Sequence, residues 1–177
     1  METTEQEHEQ EREQEQGARP DATVAKGLDP LLHPTREALL SRGARRAPRW
    51  KRLLQPGAAG SSAWIRLEAD AQAERLGRRT PGTEHVLLAL LAVREVALQE
   101  PELAPEGAGG ELLDGLALGY ARVFAALEAA TVTLPADPRS VEAYLTAAAA
   151  DGGTEPLLRA LLGEETRARR LVEALSR

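Results

Sequence analysis

Residues 82–91 read Gly-Thr-Glu-His-Val-Leu-Leu-Ala-Leu-Leu, and residues 153–162 read Gly-Thr-Glu-Pro-Leu-Leu-Arg-Ala-Leu-Leu. Seven of the ten positions are identical at an offset of 71. Self-similarity at a fixed offset is the signature of a duplicated supersecondary unit, which buries its apolar face only by packing on its copy. Val86, Leu87, Leu90 and Leu91 map onto Leu157, Leu158, Leu161 and Leu162, so the candidate buried face is repeated as well. Chance likeness between leucine-rich helices would reproduce the leucines but not the Gly-Thr-Glu start.

The segments around both copies read as helices. From Ser62, a suitable N-cap, Trp64, Leu67 and Ala71 form an apolar stripe that Ile65, Ala69, Ala73 and Leu76 widen. Gly77 is a natural C-terminal stop, and Pro81-Gly82 makes a turn before Thr83 caps the next helix. Residues 97–110, with two prolines and three glycines, read as a loop inserted in the first unit. Short helices follow around Leu112–Leu116 and Val123–Leu127. Pro138 opens another through Val141, Leu145 and Ala150. Thr154 caps the helix after that, and Ala168, Leu171, Val172 and Leu175 mark the last. Aromatics make up only 3% of the chain, which suits closely packed Leu/Ala helices rather than a sheet. The expected fold is all-α: two pseudo-symmetric helical repeats packed as one compact domain over 61–177, the first about 62–130 and the second about 136–177.

Charge is distributed unevenly. Residues 1–16 hold seven Glu against one Arg, and residues 36–52 hold seven basic side chains against Glu37. The first segment lacks apolar periodicity and is expected to be disordered. Proline and glycine punctuate 17–60, so 1–60 reads as an acidic tail plus a Pro/Gly/Arg-rich linker, apart from a short helix expected over Thr35–Arg42. Residues 53–177 carry 12 Arg against 18 acids, a balance unsuited to broad nucleic-acid binding. The start lacks the basic and apolar regions of a signal peptide, and no apolar run approaches membrane-spanning length, so the expected location is cytoplasmic.

Glu68 to Gly77, followed by Gly82-Thr83-Glu84-His85 and Leu87 to Leu91, resembles the first Clp N repeat of the ClpC and ClpA type of unfoldase. Leu112 to Gly119 and Tyr120 to Glu128 are similar to the helix pair that completes that repeat. Gly153-Thr154-Glu155 through Leu175 resembles the opening and third helix of the second. The likeness covers about residues 62–177. Pro156 stands where the repeat usually has His, and the turn before Thr154 has three residues where the first copy has six. No G-x-x-x-x-G-K-[ST] phosphate loop occurs in the sequence, so no ATPase engine is expected within it.

A Thr at the N-cap followed by Glu sets a hydroxyl, a carboxylate and unpaired backbone N–H groups at one point. Helix-end donors suit an anion, and a carboxylate suits a guanidinium. The resemblance implies a pocket for phosphorylated arginine, with Glu84 and Glu155 on the guanidinium, Thr83 and Thr154 beside them, and His85 adjoining. The same Thr and Glu would also stabilise any helix start by about 0.5–2 and 0.3–1 kcal/mol. That leaves capping open as the whole of their role.

Other chemistry finds little foothold. The chain has no cysteine, and His8, His33 and His85 are scattered, so neither a disulfide nor a metal site is expected. No nucleophile motif or paired acid–base pattern appears, and no cofactor is expected. The expected function is non-enzymatic recognition of phosphoarginine-bearing substrates, adaptors or cyclic peptides, as adaptor or decoy in Clp proteolysis. The alternative is a nucleic-acid-associated regulator using the basic 36–52 arm, with affinity that falls steeply with salt.

Overall fold

The computed structural model describes residues 27–44, 61–105, 108–151 and 153–176. Among them are eight α-helices, two single 3₁₀ turns and no strand. The helices are α1 (His33–Ala44), α2 (Ser61–Arg75), α3 (Thr83–Gln99), α4 (Glu111–Gly115), α5 (Tyr120–Glu128), α6 (Val141–Asp151), α7 (Thr154–Gly163) and α8 (Arg167–Leu175). The described residues are all-α, as expected. None of the described helices is long and apolar enough to cross a membrane.

α3 is the axis of the body. Every side chain from Thr83 to Val93 is buried, and α1, α2, α5, α7 and α8 all pack on it. A helix that is apolar on all sides can only be central. α7 presents Leu157, Leu158 and Leu161 to the core while Arg159 faces solvent. α6 pairs with α7 and α2, and α4 lies against α7.

α2 ends as Gly77 predicts. With φ at +68°, Gly77 lets Arg78 N donate to Ala73 O (2.8 Å) and its own N donate to Glu74 O (2.9 Å), a Schellman closure. Its buried face differs from the expected stripe. Leu67 is 56% exposed, whereas Glu68 and Gln72 are buried beside Trp64, Ile65, Ala69 and Ala73.

Those buried polar groups explain the largest departure from the sequence reading. The packed body begins before residue 61: Leu28, Leu32 and Leu39 join the core, and α1 packs on α3. Thr35 Oγ1 donates to Glu68 Oε1 (2.7 Å), Gln72 Nε2 donates to the same oxygen (2.9 Å), and Tyr120 OH donates to Gln72 Oε1 (2.9 Å). Burying Glu68 is tolerable because these hydrogen bonds and the Arg75 guanidinium, 3.9 Å from Oε1, satisfy it. Pro30 opens a 3₁₀ turn that Asp29 caps, and Pro34 sits in the first turn of α1, where its missing N–H costs nothing.

Two further boundaries move. α3 continues to Gln99, and Pro101–Leu103 is a 3₁₀ turn, so the expected loop starts later than residue 97. The helix expected at Pro138 starts at Val141, with Ser140 Oγ accepting from Ala143 N (3.3 Å). The acidic tail at 1–16 and the basic residues 45–52 lie outside the described residues.

Candidate functional site

Gly82, rather than Thr83, is the N-cap of α3, with extended backbone (φ −103°, ψ −179°). Thr83 is therefore the first helical residue, and its hydroxyl is directed elsewhere. Thr83 Oγ1 donates to Asp137 Oδ1 (2.6 Å) and accepts from Ala168 N (3.0 Å). Thr83 N donates to Asp137 Oδ2 (3.0 Å), and Arg167 N donates to Asp137 Oδ1 (2.9 Å). Asp137 thus bridges the N-termini of α3 and α8, where each helix carries its partial positive charge. Thr166 completes the start of α8 by accepting from Arg169 N (3.1 Å). The backbone donor at Thr83 expected to meet an outside anion already has an internal one.

Glu84 is enclosed. Its side chain is 4% exposed, and Arg167 Nη1 donates to Oε1 at 2.9 Å, while Oε2 has no hydrogen-bond partner. The carboxylate folds back over Gly82, where a Cβ would lie 2.9 Å from both Oε1 and Cδ. Glycine is required there by close approach, not by backbone angle. Arg167 also donates from Nε to Pro135 O (2.8 Å), leaving its side chain 38% exposed.

His85 is the third residue of α3, and its Nδ1 accepts from Gly82 N (3.0 Å), closing the helix start. A nitrogen used as an acceptor carries no proton, so the 3.3 Å approach of Glu84 Oε1 to Nδ1 is not an ion pair. Burial holds the imidazole pKa below its ordinary value of 6.5; Glu84 opposes that shift, and Arg167 and Arg78 reinforce it. His85 is a neutral structural acceptor.

A cavity of about 380 Å³ opens over this node, with Glu84 and His85 in its lining. Leu127, Val132 and Leu134 form an apolar wall. Arg78, Arg79 and Arg167 supply three guanidinium groups against the single carboxylate of Glu84. Arg78 and Arg79 are exposed and have no acidic partner among the described residues. Such a space can hold a ligand that carries an anion and a cation beside an apolar stem.

The second Gly-Thr-Glu start is built otherwise. Gly153, at φ +133°, caps α7, and Thr154 Oγ1 donates to Gly109 O (2.5 Å). Glu155 Oε2 accepts from Leu112 N (3.4 Å) and lies over Gly110. Its side chain is 32% exposed, and Arg159 Nη2 approaches Oε1 at 3.3 Å from solvent. The structure therefore separates the five candidate residues. Thr83, Glu84 and His85 share one node, while Thr154 and Glu155 form another against the segment expected to be an insertion.

No protein-family model, curated protein or solved structure matches the chain. The sequence reading missed Asp137, Arg167, Arg78 and Arg79. The adjacent Arg78-Arg79 in the turn before Gly82 was the one local signal to be had. Arg36, counted with the basic arm, is committed to Glu100 through Nε (2.5 Å) and Nη2 (3.0 Å), so that arm does not begin as a free cationic surface.

Proposed function

We propose that the protein is a non-enzymatic recognition module of the Clp N type, built from two pseudo-symmetric helical repeats. In this reading it is cytoplasmic and captures proteins bearing phosphorylated arginine, as an adaptor or a decoy in Clp proteolysis. The reading rests first on the duplicated Gly-Thr-Glu helix start. The contacts of both copies support the repeat arrangement: Thr83 meets the start of α8, and Glu155 meets the start of α4, so each touches the third helix of the other half.

The observation that carries the ligand assignment is the cavity over the start of α3. It brings a buried carboxylate, with Oε1 turned to Arg167, next to two exposed guanidinium groups and an apolar wall. A carboxylate oxygen fixed in this way suits a guanidinium N–H, and arginine side chains suit phosphoryl oxygens. The start of α7, closed by Gly109 and Leu112, serves as a joint between the halves rather than a ligand site.

Calorimetric titration of the full chain with phosphoarginine tests this. Wild type and Glu155→Gln are expected to bind alike, and Glu84→Gln at least tenfold more weakly, with circular dichroism confirming the fold of each. Equal binding by all three proteins, or none by wild type, would overturn the assignment. A pull-down with phosphoarginine-bearing proteins that recovers Clp components separates adaptor from decoy.

A further inference from the structure

We infer that Arg167 changes partner when the first site fills, passing from Glu84 to the anionic group of the ligand, with Arg78 and Arg79 completing that anion subsite. The inference rests on the proposed phosphoarginine site and adds which residues of this chain decide selectivity. The ligand class it implies is a guanidinium that carries a phosphoryl group within its own length.

The geometry separates a fixed partner from a movable one. Glu84 is pinned: it is enclosed, and its carboxylate is pressed over Gly82, so it cannot turn to meet a newcomer. Arg167 is placed to move. Its backbone is held by Asp137 and its Nε by Pro135 O, but only Nη1 touches Glu84, and the side chain is 38% exposed. Arg167 supplies Glu84 with one hydrogen bond, through Oε1, while Oε2 is buried over Gly82. The resident contact is therefore a single charge-assisted hydrogen bond, which one N–H of an incoming guanidinium can replace.

Charge then sets which ligands can displace it. Plain arginine could take Glu84 only by releasing Arg167 into a space already facing Arg78 and Arg79, where like charges oppose it. Plain phosphate meets Arg78 and Arg79, but Arg167 stays committed to Glu84. A phosphorylated guanidinium brings a partner for each group released, so no charge is left alone in an enclosed site. The swap is one for one, and the covalent structure of both molecules is unchanged.

Titration of the full chain with phosphoarginine, arginine and inorganic phosphate, each separately, tests the exchange. Wild type is expected to bind phosphoarginine at least tenfold more tightly than either of the others. Arg78→Ala/Arg79→Ala should weaken phosphoarginine at least tenfold while leaving the melting temperature unchanged, since both side chains are exposed and have no acidic partner among the described residues. Arg167→Ala should bind plain arginine at least tenfold better than wild type, because Glu84 is vacated. If Arg167→Ala does not fold, Arg167→Gln, whose neutral amide holds Glu84 more weakly than a guanidinium, is measured in its place with a smaller gain expected. Phosphoarginine binding with no gain for arginine in either variant, or with equal affinity for arginine in wild type, would overturn the exchange and leave the ligand site standing. Absence of phosphoarginine binding by wild type would overturn both.

Discussion

The helices α3 and α7 begin with the same Gly-Thr-Glu and share seven of their first ten residues, counted from the glycine cap, yet they end in opposite environments. At the position where α3 has Leu88, fully buried, α7 has Arg159, with a side chain 71% exposed. That difference marks α3 as the axis and α7 as a flank. At the third helical position α3 has His85, which closes the glycine cap, and α7 has Pro156, which cannot. The carboxylates diverge accordingly. Glu84 is enclosed and paired with a tethered arginine, whereas Glu155 is one-third exposed and leans on a backbone N–H. A motif duplicated in sequence is thus a pocket floor in one setting and a joint in the other. What surrounds the motif decides which, and the motif alone does not.

The contrast can be broken most forcefully at Asp137. Asp137→Ala removes hydrogen bonds to two helix starts and should cost about 3 kcal/mol, at roughly 1 kcal/mol per lost cap or buried hydrogen bond. Urea unfolding reads this directly, and a loss under about 1 kcal/mol would show that the bridge is dispensable.

Arg167→Ala comes next. It strands Glu84, and the cost should be about 2 kcal/mol, below the roughly 3–5 of a fully buried pair because Arg167 is partly exposed. The glycine caps differ in kind rather than size. Gly82→Ala forces a methyl against the Glu84 carboxylate, while Gly153→Ala meets open space but must adopt φ +133°. Each should cost about 1–3 kcal/mol. Only Gly82→Ala should lower phosphoarginine affinity, and equal loss in both would erase the distinction.

Acid sharpens the comparison further. His85 has a folded-state pKa below 6.5, so the unfolded chain binds the proton more readily. Stability is complete above about 6.5 and falls as pH drops below that value, by at most about 1.4 kcal/mol per pH unit. Melting temperatures from about pH 7.5 to 5 should show this, and His85→Gln should flatten the difference, since Pro156 offers no second group. At the small end, Arg159→Ala should change stability by less than about 0.5 kcal/mol, because its exposed pair with Glu155 is screened by solvent.

Much of the fold was legible because helical periodicity is local. The leucines of α3 and α7, the glycine stop at Gly77 and the breaks between the later helices follow from neighbours a few residues apart. What escaped depends on distance along the chain. Asp137 and Arg167 meet Thr83 and Glu84 across 54 and 83 residues, and nothing near either residue signals the pairing. The helix α1 was expected over Thr35–Arg42, but its docking onto the core escaped for another reason. Leu28, Leu32, Thr35 and Leu39 follow helical spacing, but Pro30 and Pro34 interrupt the pattern at positions where a helix start tolerates them. Glu68 and Gln72 were missed because a stripe sought through apolar residues passes over polar ones that are buried with partners.

The bridge at Asp137 also bears on how the chain reaches this state. In tandem-repeat solenoids each unit adds its own stability, and folding can start anywhere. Here the first two N–H groups of α8 are satisfied by Asp137 and by Thr83, the latter 85 residues away, so the helix start is incomplete until α3 docks against it. Contacts of such sequence separation form late, because chain closure must precede them. The last helix is completed by the first half of the chain, so the two halves are expected to unfold together in a single transition.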